Sequence, residues 1–196
     1  MITVLETAPV KYPITLNEAK KQCEIGQEQP DHDDYLNSLI AAATGQTEQF
    51  LHRRLITQTW KFYLNQFPSD NYIKLPFGQL QSVTSLKYKD EDAVESTMDS
   101  GDYIVDIQSE PGQIVLGYEE VWPTDTLLPS NPIKIEFVCG YGLTGASVPA
   151  SIKHAIKLTI SDLFENRETE SFMPNHAKLG TWEALLFPYK LFGGVF

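Results

Sequence analysis

The chain is poor in cysteine: two among 196 residues, Cys23 and Cys139. They are far apart and match no metal-ligand spacing, which excludes a disulfide scaffold and points to reduced, cytoplasmic thiols. No stretch approaches the roughly 18 apolar residues needed to span a bilayer, so no membrane association is expected. The start, MITVLETAPVKYPITLNEAKK, lacks a basic segment followed by an apolar block, and no secretory signal is expected. Bases are scarce too, with 15 Lys and Arg against 26 Asp and Glu and a net charge of −11. A protein that grips DNA phosphates needs a basic face, and no segment offers one.

Catalytic signatures are also missing. His32, His52, His154 and His176 are scattered, and there is no G-x-S-x-G, no H-E-x-x-H and no Cys–His signature. Glu119 and Glu120 are adjacent carboxylates of the kind a glycosidase uses, but neighbours in sequence say nothing about separation in space. Asp31, His32, Asp33 and Asp34 have a metal-site composition, yet their consecutive spacing matches neither a calcium loop nor a zinc helix. Carboxylates at a helix start are favoured by the helix dipole with no ion present. No metal and no cofactor is expected.

The residues present give a clear order of elements. ITLNEAKKQCEI predicts a short helix, with Thr15 and Glu18 at capping-box spacing. A longer helix is expected with Pro30 and Asp31 at its start and Leu36, Leu39, Ile40, Ala43, Phe50 and Leu51 on one stripe. Gly45 weakens it, and close approach of a neighbouring helix is one reason for a glycine there. From Thr57 the period changes to two, with Trp60, Phe62 and Leu64 alternating. NYIKLP, LQSVTSLKYK, DYIVDI, GQIVLGY and NPIKIEFVCGY follow as strands, separated by Asp90-Glu91-Asp92, Asp99-Ser100-Gly101, Glu110-Pro111-Gly112 and Pro129-Ser130-Asn131-Pro132. With no helix between them, these strands predict an antiparallel sheet or small barrel.

Gly140-Tyr141-Gly142-Leu143-Thr144-Gly145 has the glycine content of a phosphate loop but lacks the lysine of a Walker A motif and the βαβ setting of a dinucleotide site. A strand-to-helix elbow is the better reading, with Pro149 at the start of a helix carrying Ile152, Ala155, Ile156, Thr159, Leu163 and Phe164. A last short helix is expected around 181–187. The end is aromatic, with Phe187, Tyr189, Phe192 and Phe196 close together. Such a tail either folds back on its own helices or docks on another protein.

The fold expected is therefore α+β: a helical core with an antiparallel β-rich insertion and an extended C-terminal tail. Its divisions are 1–57 for the N-terminal helices, 58–146 for the insertion, 147–168 for a core helix and 169–196 for the tail. Charge is unevenly distributed: residues 60–140 carry thirteen acids and five bases, net −8, whereas residues 141–196 carry five of each.

The order of several segments resembles the tailed-phage head–tail connector, or adaptor, family in its form with a β-rich insertion. They are ITLNEAK at Ile14–Lys20, DDYLNSLIAAAT at Asp33–Thr44, RRLITQTW at Arg53–Trp60, LPFGQLQSVTSLKY at Leu75–Tyr88 and DYIVDIQSEPGQI at Asp102–Ile114. FVCGYG, VPASIKHAI, FENRE at Phe164–Glu168 and LLFPYK at Leu185–Lys190 complete the set. The resemblance implies a non-enzymatic protein of the virion neck, assembled in the host cytoplasm. Copies would form a ring on the portal protein, extend the DNA channel without binding DNA specifically, and present a platform to the next neck or tail protein. The C-terminal segment would reach the portal, making Leu186, Phe187, Pro188, Tyr189, Lys190, Phe192 and Phe196 the docking candidates. A stopper or tail-completion protein is the alternative within the neck. A hydrolase using the acidic β block is the alternative outside it, and spacing lends it no support.

Overall fold

Thr15 stops the chain in an extended conformation and starts the first helix, α1 (Leu16–Gln22). Its hydroxyl accepts from the Glu18 amide at 3.2 Å, and the Glu18 carboxylate accepts from the Thr15 amide at 2.9 Å. This reciprocal capping box satisfies two amides that no helical carbonyl reaches. In the computed structural model, which describes residues 1–166 and 176–192, the chain divides into two compact units.

The helical unit comprises Val10–Ile56 and Gly142–Lys190. It holds α1, α2 (Asp33–Leu51), α3 (Ala150–Glu165) and α4 (His176–Leu186). The expected stripe of α2 is buried through Leu36, Leu39, Ile40, Ala43 and Leu51. That of α3 is buried at Ile152, Ala155 and Ile156, whereas Thr159, Leu163 and Phe164 are half-buried and Ile160, outside the expected stripe, is buried. The two helices pack against each other, α1 packs on both, and α4 packs on α3. Gly45 has open space where a side chain would sit, so the expected close approach of a neighbouring helix does not account for it. Helix α2 begins after His32 rather than at Asp31, with Asp33 and Asp34 in its first turn. Helix α4 starts earlier than its apolar residues indicate, at His176.

The sheet unit takes in Met1–Pro9, Thr57–Tyr141 and the residues from Leu191. Its strands are β1 (Ile2–Thr7), β2 (Gln58–Leu64), β3 (Tyr72–Lys74), β4 (Leu80–Lys89), β5 (Glu95–Thr97), β6 (Tyr103–Asp106), β7 (Gln113–Leu116) and β8 (Ile133–Cys139). They form an antiparallel five-stranded sheet, β1-β2-β8-β4-β5, and an antiparallel three-stranded sheet, β3-β7-β6. Both sheets contribute to one core: Phe62, Leu64, Leu86, Ile135 and Phe137 from the first, Ile73, Tyr103 and Ile114 from the second. A side chain at Gly112 would overlap Leu80, so glycine lets the β7 entry close on β4.

Two strands escape sequence reading. β5 is three residues long, and β1 is largely exposed along its length. Sequence expectation placed all of 1–57 with the helices, whereas Met1–Pro9 belong to the sheet unit. An edge strand exposed on both faces carries no one-sided apolar alternation, the signal on which such an assignment rests.

Sheet register brings the chain's crossings together. Thr7 of β1 pairs with Thr59, and Gln58 of β2 pairs with Cys139 of β8. The Gln81 side-chain amide then joins two of these ends, donating to Thr57 Oγ1 at 2.8 Å and to the Gly140 carbonyl at 2.6 Å. The end of β1, the start of β2 and the end of β8 thus lie at one end of the five-stranded sheet.

Candidate partner-docking site

The glycine elbow is closed by its own chain. Gly140 has φ 128°, a left-handed conformation that side chains avoid. A side chain at Gly145 would overlap the Pro13 carbonyl, and one at Gly142 would overlap Ser147. Gly145–Ser147 make a short 3₁₀ turn before Pro149 and α3. The loop works as a tight elbow, and its interior is filled by protein.

The acidic start of α2 is likewise occupied. Lys20 Nζ, almost wholly buried, lies 2.6 Å from the Asp33 carboxylate and donates to the carbonyls of Gln27 and Gln29 at 3.1 and 2.8 Å. His32 sits edge-on to Phe164, ring centres 5.7 Å apart. Asp33 serves to pin the loop between α1 and α2. Glu119 and Glu120 lie exposed in the turn after β7, closed by a 3.2 Å bond from the Glu120 amide to the Gly117 carbonyl.

The C-terminal segment divides into a held part and a presented part. Leu186 ends α4 fully buried and is a fold residue as well as a docking candidate. Pro188 then sits inside the 3₁₀ turn Phe187–Tyr189, where its fixed φ suits the turn. Arg53 Nε donates to the Tyr189 carbonyl. Lys190 Nζ lies 4.2 Å above the Phe50 ring, and Phe50 packs on Trp182 at 4.7 Å between ring centres. Tyr189 and Lys190 are accordingly half-buried. Phe187 is 59% exposed and Phe192 63%, with Pro188 exposed between them. Phe196 lies outside the described residues. Phe50, Arg53 and Trp182, which hold this segment, were not among the sequence-derived candidates. Phe50 read there as one more stripe residue, and only its partners show that it faces the returning chain.

A half-buried carboxylate, Glu48, lies near Arg53 in the chain. The Glu48 carboxylate accepts from the Leu55 amide at 2.8 Å and from Arg54 Nη1 at 3.3 Å. Burial nevertheless raises its pKa above the ordinary value, outweighing the Leu55 bond and the Arg54 charge. At Glu18 the balance falls the other way. Burial pushes its pKa up, but the Thr15 bonds and Lys153 at 2.9 Å bring it down to about 2. Among the described residues no helix is long and apolar enough to cross a membrane, and no group of three or more His, Cys, Asp or Glu is placed to hold a metal.

Three solved structures share this fold over nearly the whole chain. A chain of the neck of an empty GTA particle, computed with C6 symmetry, matches with TM-score 0.79 at 20% identity, covering 99% of both chains. One from the virion of a native gene transfer agent particle matches with TM-score 0.79 at 19% identity and the same coverage. One from the neck of a native GTA particle, computed with C12 symmetry, matches with TM-score 0.70 at 19% identity, again over 99% of each chain. At that identity the likeness establishes the fold. No curated protein matches the chain. The sequence model of the phage gp6-like head-tail connector proteins matches residues 13–120, from the approach to α1 through the turn after β7. The chain belongs to the phage gp6-like head-tail connector family.

Proposed function

We propose that this chain is a non-catalytic adaptor of the virion neck, which forms a ring of copies on the portal protein, extends the DNA channel and joins head to tail. The observation that carries the reading is the match to the head-tail connector family across residues 13–120. The shared fold of chains from GTA necks, over 99% of the length, supports it. In a ring one face of each copy meets a different face of the next, and many weak contacts are summed by symmetry. The portal contact falls to the C-terminal segment: Phe187 and Pro188 stand exposed beside Tyr189 and Lys190, which Arg53 and Phe50 hold in place, and Phe192 is exposed further along the chain. Leu186, Tyr189 and Lys190 support them, and Phe196 extends the same apolar run. The net charge of −11 keeps DNA from adhering to a channel wall rather than binding it.

Negative-stain microscopy of the protein mixed with its portal tests this reading. An added ring beneath the portal is expected for the full chain, and none for a chain lacking Phe187–Phe196. A Phe187→Ser, Phe192→Ser pair should keep the melting temperature, because exposed substitutions cost within about 0.5 kcal/mol, while losing portal binding. Absence of a ring with the full chain would sink the adaptor reading; a ring that forms without Phe187–Phe196 would remove the anchor alone.

A further inference from the structure

The outward faces of the two sheets differ in how their polar groups are satisfied. On the five-stranded sheet the charges neutralise one another: Lys61 meets Glu6 at 2.8 Å, and Glu95 meets Lys87 at 3.1 Å and Lys134 at 2.9 Å. On the three-stranded sheet, Ile73, Tyr103 and Ile114 turn to the core. The residues alternating with them form a row across all three strands, since Tyr72 pairs with Val115 and Val115 with Ile104. Ile104 is 61% exposed. Just past β7, where the Gly117 amide donates to the Asp102 carbonyl at 2.9 Å, Tyr118 is 91% and Val121 72% exposed. Isolated exposed apolar residues need no explanation, but a row with two more in the turn just past β7 does.

Charge decides what fits this face. The acids tied to this sheet are Asp102, whose carbonyl accepts from the Gly117 amide, Asp106 in β6, and the exposed Glu119 and Glu120 of the turn after β7. Lys74 is the one base of the three strands, and its Nζ lies 5.6 Å from the centre of the Tyr72 ring. Asp106 is engaged by Ser109 and Gln113, at 2.5 and 3.1 Å. DNA would be repelled by such a surface, and a second copy meeting it through the same face would bring the same acids to it. We propose that the outward face of the three-stranded sheet, centred on Ile104 and Val115 and flanked by Tyr118 and Val121 in the turn after β7, docks a different protein through a lysine- or arginine-rich surface with an apolar centre. This inference does not depend on ring assembly, and the isolated chain suffices to test it.

The probe is an alternating Lys–Val peptide, with a Lys–Ser peptide of equal length as the charge-only control, followed by fluorescence anisotropy against the full chain. The Lys–Val peptide should bind, and more weakly as salt shortens the Debye length from about 10 Å at 0.1 M to about 3 Å at 1 M. An Ile104→Ser, Tyr118→Ser variant with unchanged melting temperature should bind it about tenfold more weakly, as expected when exposed apolar anchors are lost. Equal binding of the Lys–Ser peptide, or undiminished binding by the variant, would overturn the proposal. So would binding of duplex DNA in place of the peptide, or self-association that the same variant abolishes, each of which would give the face a different occupant.

Discussion

The helical and sheet units solve the same problem differently: each must join regular elements through irregular chain without leaving polar groups unsatisfied. The helical unit does it with buried charge. Lys20 binds two loop carbonyls and Asp33, Glu48 binds the Leu55 amide and Arg54, and Arg53 binds the Tyr189 carbonyl. In the sheet unit the core cluster is apolar apart from the tips of Tyr103, Trp122 and Cys139, and Gln58 is the buried polar side chain outside it. Its turns close on short local bonds, as where Asp90 Oδ1 accepts from the Asp92 and Val94 amides at 3.0 and 2.9 Å. Hairpin turns bring their own partners, whereas a helix end leaves several amides and carbonyls that side chains must reach. The helical unit therefore depends on a few long polar side chains, and the sheet unit on shape.

This contrast predicts different weak points. The largest effect is expected from Phe137→Ala, because Phe137 is fully buried in the sheet core and its loss leaves a cavity. A cost of about 3–5 kcal/mol is expected in chemical denaturation, with hydrogen exchange rising across β2, β4 and β8. Next comes Lys20→Met, which keeps the apolar stem and removes the donor from two carbonyls and a carboxylate. About 3 kcal/mol is expected, since uncompensated buried polar groups cost about 1–3 kcal/mol each and the exposed side of Asp33 regains water. Exchange should rise between Cys23 and Asp33 and leave the sheet amides unchanged. Faster exchange in the sheet unit would erase the distinction drawn between the two.

The smallest effect is on pH dependence, and it has opposite signs at two acids of the helical unit. Glu18 has a folded pKa of about 2, below its ordinary 4.5, so its contribution is full above about 4.5 and is lost as pH falls towards 2. Glu48 has a raised folded pKa, so its ionisation opposes folding and stability falls as pH rises from 4.5 through the folded value. Glu18→Gln should therefore flatten acid unfolding below pH 4.5, and Glu48→Gln should flatten the decline above it. Thermal melts across pH by circular dichroism read both slopes; identical curves for the two variants would contradict the assignment.

Much of this architecture is legible in particular residues. The stripes of α2 and α3 and the alternation of Phe62 with Leu64 and of Ile133, Ile135 and Phe137 report one buried face directly, because period and burial share a cause. The Thr15–Glu18 box is local in sequence and local in space. β1 was illegible because its partner, β2, lies beyond two helices in the chain and its own residues stay exposed. The C-terminal segment was legible only as an aromatic run. That Leu186 turns inward while Phe187 turns outward depends on where α4 meets its neighbours, which adjacent apolar residues do not encode.

By itself, then, the sequence determined the classes of element, their order, the turn chemistry and the acidic balance, because each arises from residues within a few positions of one another. It also carried the family, through the order of segments along 13–120. Tertiary structure alone decided that Met1–Pro9 join the sheet, that Arg53 ties down the distant Tyr189 carbonyl, and that the row from Tyr72 to Ile104 lies on the outward face. Those outcomes depend on contacts between segments far apart in the chain, where local propensity has no influence and only packing selects the partner.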